Sequence, residues 1–200
     1  VDVRDYCDMK ILGSTRDDAA GEAFDKVARI LGYPYPGGKA LDALARTTDF
    51  CGAFHLPSPS FADAPLDCSF SGLKTAVINL VHTYEARGES FDHAALARAV
   101  SERVAAMLSE RLMLAAAQCG RRQVAVCGGV AANSFLREAV RSYAEKKGLS
   151  VFIPPLSLCG DNAAMIGCAG YYAWKHGERA GLDLNACATM AVSESFASIK

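Results

Sequence analysis

Apolar residues recur at the spacing of an α-helix along much of this 200-residue chain. The clearest pattern predicts a helix of about six turns, because its apolar residues return every three or four positions. These residues are Leu96, Val100, Val104, Met107, Leu108, Leu112 and Ala115. Shorter helices are expected over residues 40–45 and from residue 70 to about residue 85. Between them, residues 50–69 show no clear period and are expected to form an irregular, packed loop.

A first helix is expected over about residues 16–31. Ser14 or Thr15 provides the side-chain oxygen that commonly caps a helix, and Gly32 follows the last apolar position. The helix must end there, because residues 33–38 contain two prolines and two glycines.

Three acidic residues, Asp18, Glu22 and Asp25, are expected on one side of this first helix, at positions i, i+4 and i+7. Such a stripe is typical of a solvated acidic face. Gly21 favours a different interpretation, because glycine inside a helix costs roughly 1 kcal/mol relative to alanine. The glycine indicates close approach by another backbone or by a ligand, such as a ribose. Both interpretations stay open at this point.

A strand, a helix and a second strand follow in the carboxy-terminal half. Residues 123–127 are apolar except for Gln123 and predict a buried strand, and residues 133–147 predict a helix that ends at Gly148. Residues 151–153 predict the next strand. Strands joined by a crossover helix are parallel, so the pattern predicts an α/β unit.

The turn after the first of these strands is a candidate ligand site, because ligands of α/β sheets gather at the carboxyl ends of strands. Gly128 and Gly129 would let a ligand approach the backbone, and Asn133 carries both amide donors and an acceptor. The alternative is a close packing turn in which Asn133 caps the following helix.

Asp161 occupies the corresponding turn after the second strand and precedes a helix expected to reach about residue 174. It is either the cap of that helix or a carboxylate that binds a metal or a metal-bound phosphate. One carboxylate does not complete a metal site, and none of the four histidines stands in a metal-binding pattern.

Composition predicts one compact domain or one large lobe, since 51% of the residues are hydrophobic and 22% are charged. The net charge of −1 excludes a broadly basic, nucleic-acid-binding surface. No apolar run approaches the roughly 20 residues of a membrane span, and the first residues do not resemble a signal peptide. We therefore expect a soluble, cytoplasmic protein with no membrane partner. The absence of an initial Met suggests that sequence once preceded Val1.

The eight cysteines never form a C-x-x-C pair, which favours reduced core thiols over a disulfide or zinc framework. The scattered histidines form no H-x-x-x-H or H-E-x-x-H motif, which disfavours a self-contained metalloprotease.

Five short runs occur in a fixed order along the chain. They are DDAAGEAFDK at residues 17–26, YPGG at 35–38, SFSGLKT at 69–75, GGVAAN at 128–133 with Leu136 and Arg137, and DNAAMI at 161–166. In this order and spacing they resemble the tRNA N6-adenosine threonylcarbamoyltransferase family, formerly described as O-sialoglycoprotein endopeptidases. The resemblance extends from Asp17 to Ile166 and adds little over the last 30 or so residues.

The resemblance implies an actin-like, sugar-kinase and Hsp70-type α/β fold of which this chain is mostly the second lobe. Residues 1–175 would be the carboxy-terminal part of that fold, and residues 176–200 a loosely ordered tail. It also implies an acyltransferase that moves threonylcarbamoyl from threonylcarbamoyl-AMP to N6 of adenosine 37, in tRNAs that read codons beginning with A. In bacteria, which the first and third motifs favour, a paralogous dimerisation subunit and an ATPase subunit would be partners.

Carried over by motif position, the resemblance implies that Asp25, Gly38, Asp42 and Asn133 contact the adenylate substrate. It implies that Asp161 is a metal ligand, to Fe²⁺ first and Zn²⁺ second, with the metal acting as a Lewis acid. No residue of this chain is assigned as catalytic.

Several features of the family are missing here. The amino-terminal lobe with its phosphate loop, the H-x-x-x-H pair that completes the metal site and an S-G-G-H-T segment are all absent. Gly160 replaces a common Thr, and Cys68 replaces a common Phe. The leading interpretation is therefore an incomplete enzyme, inactive as the isolated chain. The alternative is a non-catalytic nucleotide-binding or scaffold module, and a protease fits poorly.

Overall fold

The computed structural model describes residues 1–50, 54–186 and 192. The chain divides into two compact units. The core unit, as we call it, is Ser14–Gly160, and the split unit combines Val1–Gly13 with Asp161–Lys200. Among the described residues, none of the helices has the length and apolar character needed to cross a membrane.

The core unit contains five α-helices and a small sheet. Its helices are α1 (Ala20–Ile30), α2 (Gly38–Ala45), α3 (Ser71–Arg87), α4 (His93–Gln118) and α5 (Ser134–Lys147). Helix α4 is central, because it packs against α1, α2 and α5. The first half of the face predicted for this helix is confirmed, since Leu96, Val100, Val104 and Met107 are fully buried. The remaining predicted positions, Leu108, Leu112 and Ala115, are only half-buried. The carboxylate of Asp92 caps α4 by accepting hydrogen bonds from the amides of Ala94 and Ala95.

The predicted order of strand, helix and strand is confirmed, but the first strand is shorter than residues 123–127 and is not a buried strand, because only Val124 in it is buried. Strand β3 (Gln123–Ala125) pairs in parallel with β4 (Ser150–Phe152), and α5 connects them. Val124 lies opposite Val151 in the register of the pair. A 3₁₀-helix at Gly129–Ala132 follows β3, and another at Leu156–Leu158 follows β4. Both loops therefore leave the same edge of the sheet, as the crossover pattern requires.

The first helix begins later than predicted. It starts at Ala20, and neither Ser14 nor Thr15 caps it, because the N-terminal flanking residue is Ala19. Thr15 instead forms a parallel β-bridge with Cys68. The amide of Arg16 donates to the carbonyl of Cys68 at 2.9 Å, and the amide of Cys68 donates to the carbonyl of Ser14 at 2.9 Å. Extended pairing of this segment excludes the helical conformation.

This later start corrects the predicted acidic stripe, since Asp18 precedes the helix and shares no helical face with Glu22 and Asp25. Gly21 lies at the start of α1 rather than at its middle. The predicted close approach does occur there, because a Cβ added to Gly21 would lie 3.4 Å from Cγ2 of Val130. The neighbour is a side chain of the 3₁₀-helix after β3, not another backbone.

The prediction of core thiols is only partly right. All cysteines in the described residues are free, and Cys68 and Cys159 are buried. Cys7, Cys127 and Cys168 are exposed, so the apolar residues beside them in the sequence do not indicate burial. Cys51 and Cys187 lie outside the described residues.

The split unit contains an antiparallel pair, β1 (Asp2–Asp5) and β2 (Asp8–Lys10), and one helix, α6 (Ala163–Lys175). Helix α6 is apolar in sequence, yet none of its residues is buried. Tyr6 stacks on Tyr172 within this unit. Residues 176–186 form turns and no helix or strand, and residues 187–191 and 193–200 of the predicted tail lie outside the described residues.

Candidate functional site

Asp25 connects α1 to the start of α2. Its Oδ1 atom accepts hydrogen bonds from the amides of Gly37 at 2.8 Å and Gly38 at 3.0 Å. These amides lie at the N-terminus of α2, where backbone donors lack partners within the helix and a carboxylate is stabilised by the helix dipole. Gly37 is required here, because a Cβ at this position would lie 2.3 Å from Cβ of Ala28.

Asp42, one turn further along α2, connects that helix to the start of α5. Its Oδ1 atom accepts from Nδ2 of Asn133 at 3.0 Å, from the amide of Ser134 at 3.0 Å and from Oγ of Ser134 at 2.9 Å. Asn133 in turn caps α5, since its Oδ1 accepts from the amide of Leu136 at 2.9 Å. The predicted capping role of Asn133 is therefore confirmed, and its remaining amide group is directed at Asp42.

The four residues expected to contact a ligand form two hydrogen-bonded clusters, Asp25 with Gly38 and Asp42 with Asn133. Because both clusters include residues of α2, we call them together the network across α2. Asp25, Gly38, Asp42 and Asn133 come from three different helices or helix starts. In each carboxylate, Oδ1 accepts all of the hydrogen bonds made within the described chain, and Oδ2 accepts none. Both carboxylates are half-buried. Two fixed acceptor oxygens therefore remain available to hydroxyl donors of a ligand.

Ser134 is a member of this network that the sequence did not single out. Its hydroxyl donates to Asp42 and also accepts from Nε of Arg46 at 2.7 Å. The guanidinium of Arg46 lies 4.0 Å from the ring centroid of Phe135 and 2.8 Å from Oε1 of Glu138. A serine directly after a capping asparagine was the only available signal. It gave no indication of a partner more than 90 positions away.

The Gly-Gly turn after β3 adopts a conformation that suits glycine. Gly128 has φ 84°, in the left-handed region, and its carbonyl accepts from the amide of Ala131 at 2.9 Å. A cavity of about 340 Å³ lies beside this turn. Its walls are almost entirely apolar: Ala20, Leu108, Leu112, Ala125, Val126, Cys127, Val130, Ala131, Leu136 and Val140. None of the four predicted contact residues lines it, so the network across α2 and the cavity are separate features.

Asp17 joins the first and third sequence motifs. Its carboxylate accepts from the hydroxyl of Ser69 and from the amides of Phe70 at 2.7 Å and Ser71 at 3.2 Å. It thereby supplies acceptors to the N-terminus of α3. Partial burial raises the pKa of Asp17, but these hydrogen bonds stabilise the charged form and lower its pKa overall. The contact between the first and third motifs therefore stabilises the fold around the start of α3.

Asp161 is exposed and directly precedes the residue that caps α6. The cap is Asn162, whose Oδ1 accepts from the amide of Met165 at 2.9 Å. The interpretation of Asp161 as the helix cap is therefore wrong. Its carboxylate has no hydrogen-bond or ion-pair partner within residues 1–50 and 54–186. Across the same residues, no group of three or more His, Cys, Asp or Glu side chains is placed to hold a metal.

Comparison with known proteins gives one consistent result. Residues 2–168 match the family model of tRNA N6-adenosine threonylcarbamoyltransferase. A protein of that name from Moorella thermoacetica is 50% identical over 184 residues, which cover 92% of this chain and 54% of the relative. Another from Clostridium botulinum strain 657 is 44% identical over 192 residues, with 96% and 56% covered. A third, from a Picosynechococcus species, is 44% identical over 199 residues, with 97% and 56% covered. The chain thus spans about half the length of these curated relatives.

Proposed function

Because this chain belongs to the tRNA N6-adenosine threonylcarbamoyltransferase family, we propose that it forms the adenylate-binding part of such an enzyme. The complete enzyme transfers threonylcarbamoyl from threonylcarbamoyl-AMP to N6 of adenosine 37, in tRNAs that read codons beginning with A. The observation that carries this proposal is the network across α2, in which motif residues hold two carboxylates that each keep one oxygen available. The chain covers about half of its relatives, so the activity belongs to the complete protein.

Within this proposal, Asp25 and Asp42 bind the ribose of the adenylate. Each holds Oδ1 fixed by donors of the protein and presents Oδ2 as an acceptor for a sugar hydroxyl. Gly38 donates its amide to Oδ1 of Asp25 and thereby helps to hold this carboxylate in place. Asn133 orients Asp42 through its amide group. These residues bind and orient the substrate and take no part in bond making.

The reaction requires the N6 amine to attack the carbamoyl carbon of the mixed anhydride. The new N–C bond forms as the bond from that carbon to the phosphate oxygen breaks, AMP leaves with the electron pair, and the amine loses a proton. The contribution of this chain is to hold the AMP portion rigidly, so that the carbamoyl carbon stays within reach of the amine.

Asp161 is proposed as one ligand of a divalent metal, Fe²⁺ first and Zn²⁺ second. Exposure and the absence of a partner in the described residues suit it to this role. One carboxylate does not fit a metal by itself, and a histidine pair outside this chain would have to complete the site. When bound, the metal would supply Lewis-acid chemistry. No step of the reaction is assigned to it here.

We further propose that the described α/β structure is mostly the second lobe of an actin-like, sugar-kinase and Hsp70-type fold. Residues 1–175 would form this lobe, and residues 176–200 a tail. The partners would be tRNA and, in a bacterial host, a paralogous dimerisation subunit and an ATPase subunit. These activities would take place in the cytoplasm.

The proposal is tested by completing the enzyme. The chain is joined to the remaining half of the Moorella relative, and threonylcarbamoyladenosine is measured in tRNA after incubation with threonylcarbamoyl-AMP. We expect modification by the joined protein and none by the isolated chain. An Asp42→Ala variant should lower modification strongly, because the ribose loses one acceptor and α5 loses the partner of Ser134. A joined protein that folds and binds AMP, yet leaves tRNA unmodified, would favour the non-catalytic scaffold instead.

A further inference from the structure

Arg137, on α5, connects the two loops that follow the strands of the small sheet. Its Nη1 atom donates to the carbonyl of Ala131 at 2.9 Å and to the carbonyl of Pro154 at 3.0 Å. Its Nη2 atom donates to the same Pro154 carbonyl at 3.0 Å. Ala131 lies in the turn after β3, and Pro154 lies in the loop after β4. One guanidinium therefore fixes the spacing between these loops.

The acceptors of Arg137 distinguish it from a surface arginine. They are two carbonyl groups and the sulfur of Cys159, which lies 3.8 Å from Nη1. No carboxylate pairs with this guanidinium in the described part of the chain. The side chain is half-buried. Hydrogen bonds from a charged donor are stronger than neutral ones, so this contact holds the loops more firmly than neutral bonds would.

The turn held by Arg137 leads directly to the network across α2. The amide of Asn133 donates to the carbonyl of Val130 at 3.0 Å, inside the turn. Asn133 then donates from its side chain to Asp42. Any displacement of the Ala131 carbonyl therefore moves the group that orients Asp42. The connection from Arg137 to Asp42 consists entirely of hydrogen bonds and backbone.

We propose that Arg137 is a positioning residue for the adenylate site. It keeps the turn after β3, and through it Asn133 and Asp42, in the geometry that binds the ribose. The inference rests on the proposed function, because it assumes that Asp42 contacts the nucleotide. A lysine is not equivalent to this arginine, since it lacks the second donor nitrogen, Nη2, and the planar geometry with which the guanidinium contacts both loops.

Arg111 provides a matched control within the same unit. It is half-buried on α4 and also donates to backbone carbonyls, those of Asp67, Met107 and Pro59. These carbonyls belong to α4 and to the irregular segment before α3, and none belongs to the turn after β3. Arg111→Met and Arg137→Met therefore remove comparable contacts, but only the second change affects the proposed site.

The test uses the complete, joined enzyme and AMP as the probe, with binding measured by isothermal titration calorimetry and stability by thermal unfolding. We expect both Met variants to lower the melting temperature similarly. We expect Arg137→Met to raise the dissociation constant of AMP about tenfold, since small displacements of binding groups have effects of this order or larger. Arg111→Met should leave it unchanged. Arg137→Lys should resemble Arg137→Met in AMP binding.

Two outcomes would overturn the proposal. The first is wild-type affinity for AMP in Arg137→Met, and the second is wild-type affinity in Arg137→Lys, which would show that charge alone suffices. If the unsubstituted joined enzyme binds no AMP while remaining folded, the proposed function itself fails. That result differs from the two outcomes above, because in both of them the unsubstituted enzyme does bind AMP.

Discussion

The core unit and the split unit make opposite use of apolar helices. In the core unit, α4 buries Leu96, Val100, Val104 and Met107 completely. In the split unit, α6 leaves Ile166 exposed at 66% and Trp174 at 59%, although its sequence is at least as apolar. Among the described residues of the split unit, no apolar side chain is buried. The difference teaches that an apolar sequence makes a helix suitable for burial but does not bury it. Burial requires other elements that pack against the helix.

The largest expected effect compares truncations in the two helices. Leu96→Ala in α4 should lower the free energy of unfolding by about 2–5 kcal/mol, because it leaves a cavity in a packed core. Ile166→Ala in α6 should change it by less than about 0.5 kcal/mol, since the side chain is exposed. The free energy of unfolding of each variant is measured by urea unfolding, with circular dichroism as the signal. Equal losses would show that α6 is buried as well as α4.

The second prediction concerns self-association of the isolated chain through α6. Met165, Ile166, Tyr171 and Trp174 are all exposed on this helix, and exposed apolar surface of this kind favours association. We expect concentration-dependent association in size-exclusion chromatography with light scattering. Ile166→Asp should weaken it about tenfold, which corresponds to about 1.4 kcal/mol. Leu114→Asp, at an isolated exposed position of α4, is the control and should have no effect. A monomer with a sharp, reversible melt would contradict the prediction.

A smaller effect is expected at Asp17, in the core unit. Its folded-state pKa is lowered, so its charged form stabilises the fold at neutral pH. That stabilisation is fully present above the usual carboxyl pKa of about 4 and is lost as the pH falls below it, through the lowered folded value. Asp17→Asn should therefore lower the melting temperature at pH 7 and reduce its decline in acid. Identical melting curves at pH 7 and pH 3 for variant and wild type would contradict this.

The smallest effect on stability is expected at Asp161, in the split unit. Asp161→Ala should leave the melting temperature of the metal-free joined enzyme unchanged, because the carboxylate is exposed and makes no hydrogen bond or ion pair within the described residues. The same change should abolish tight metal binding, measured as iron and zinc content by mass spectrometry. Asp183→Ala, another exposed aspartate of the split unit, should retain the metal. Unchanged metal content in Asp161→Ala would refute its assignment as a ligand.

Local periodicity explains which parts of the fold were predictable. The first half of the face of α4 and the order of β3, α5 and β4 follow from apolar spacing within a few residues, and both are confirmed. The start of α1 was predicted too early, because the bridge between Thr15 and Cys68 joins segments about 50 positions apart. No local pattern encodes such a pairing.

In the candidate site, only the residues that belong to the family motifs and were assigned a role by resemblance were predicted. Asp25, Gly38, Asp42 and Asn133 were identified by resemblance, and the structure places them in the two clusters of the network across α2. Ser134 and Arg137 were not given roles, because their partners are backbone and side-chain atoms that become neighbours only after folding. Whether the four residues bind an adenylate stays a prediction.

The attachment of α2 at its N-terminus and near its middle has a consequence for dynamics. A helix of eight residues is too short to persist by itself in water, so α2 depends on the carboxylates that hold its N-terminus and connect it to α5. A nucleotide that contacts Asp25 and Asp42 only when α2 is formed must stabilise that helix by mass action. Hydrogen exchange at the amides of Gly37, Gly38 and Ser134 would then slow in proportion to occupancy, which makes these amides direct reporters of ligand binding.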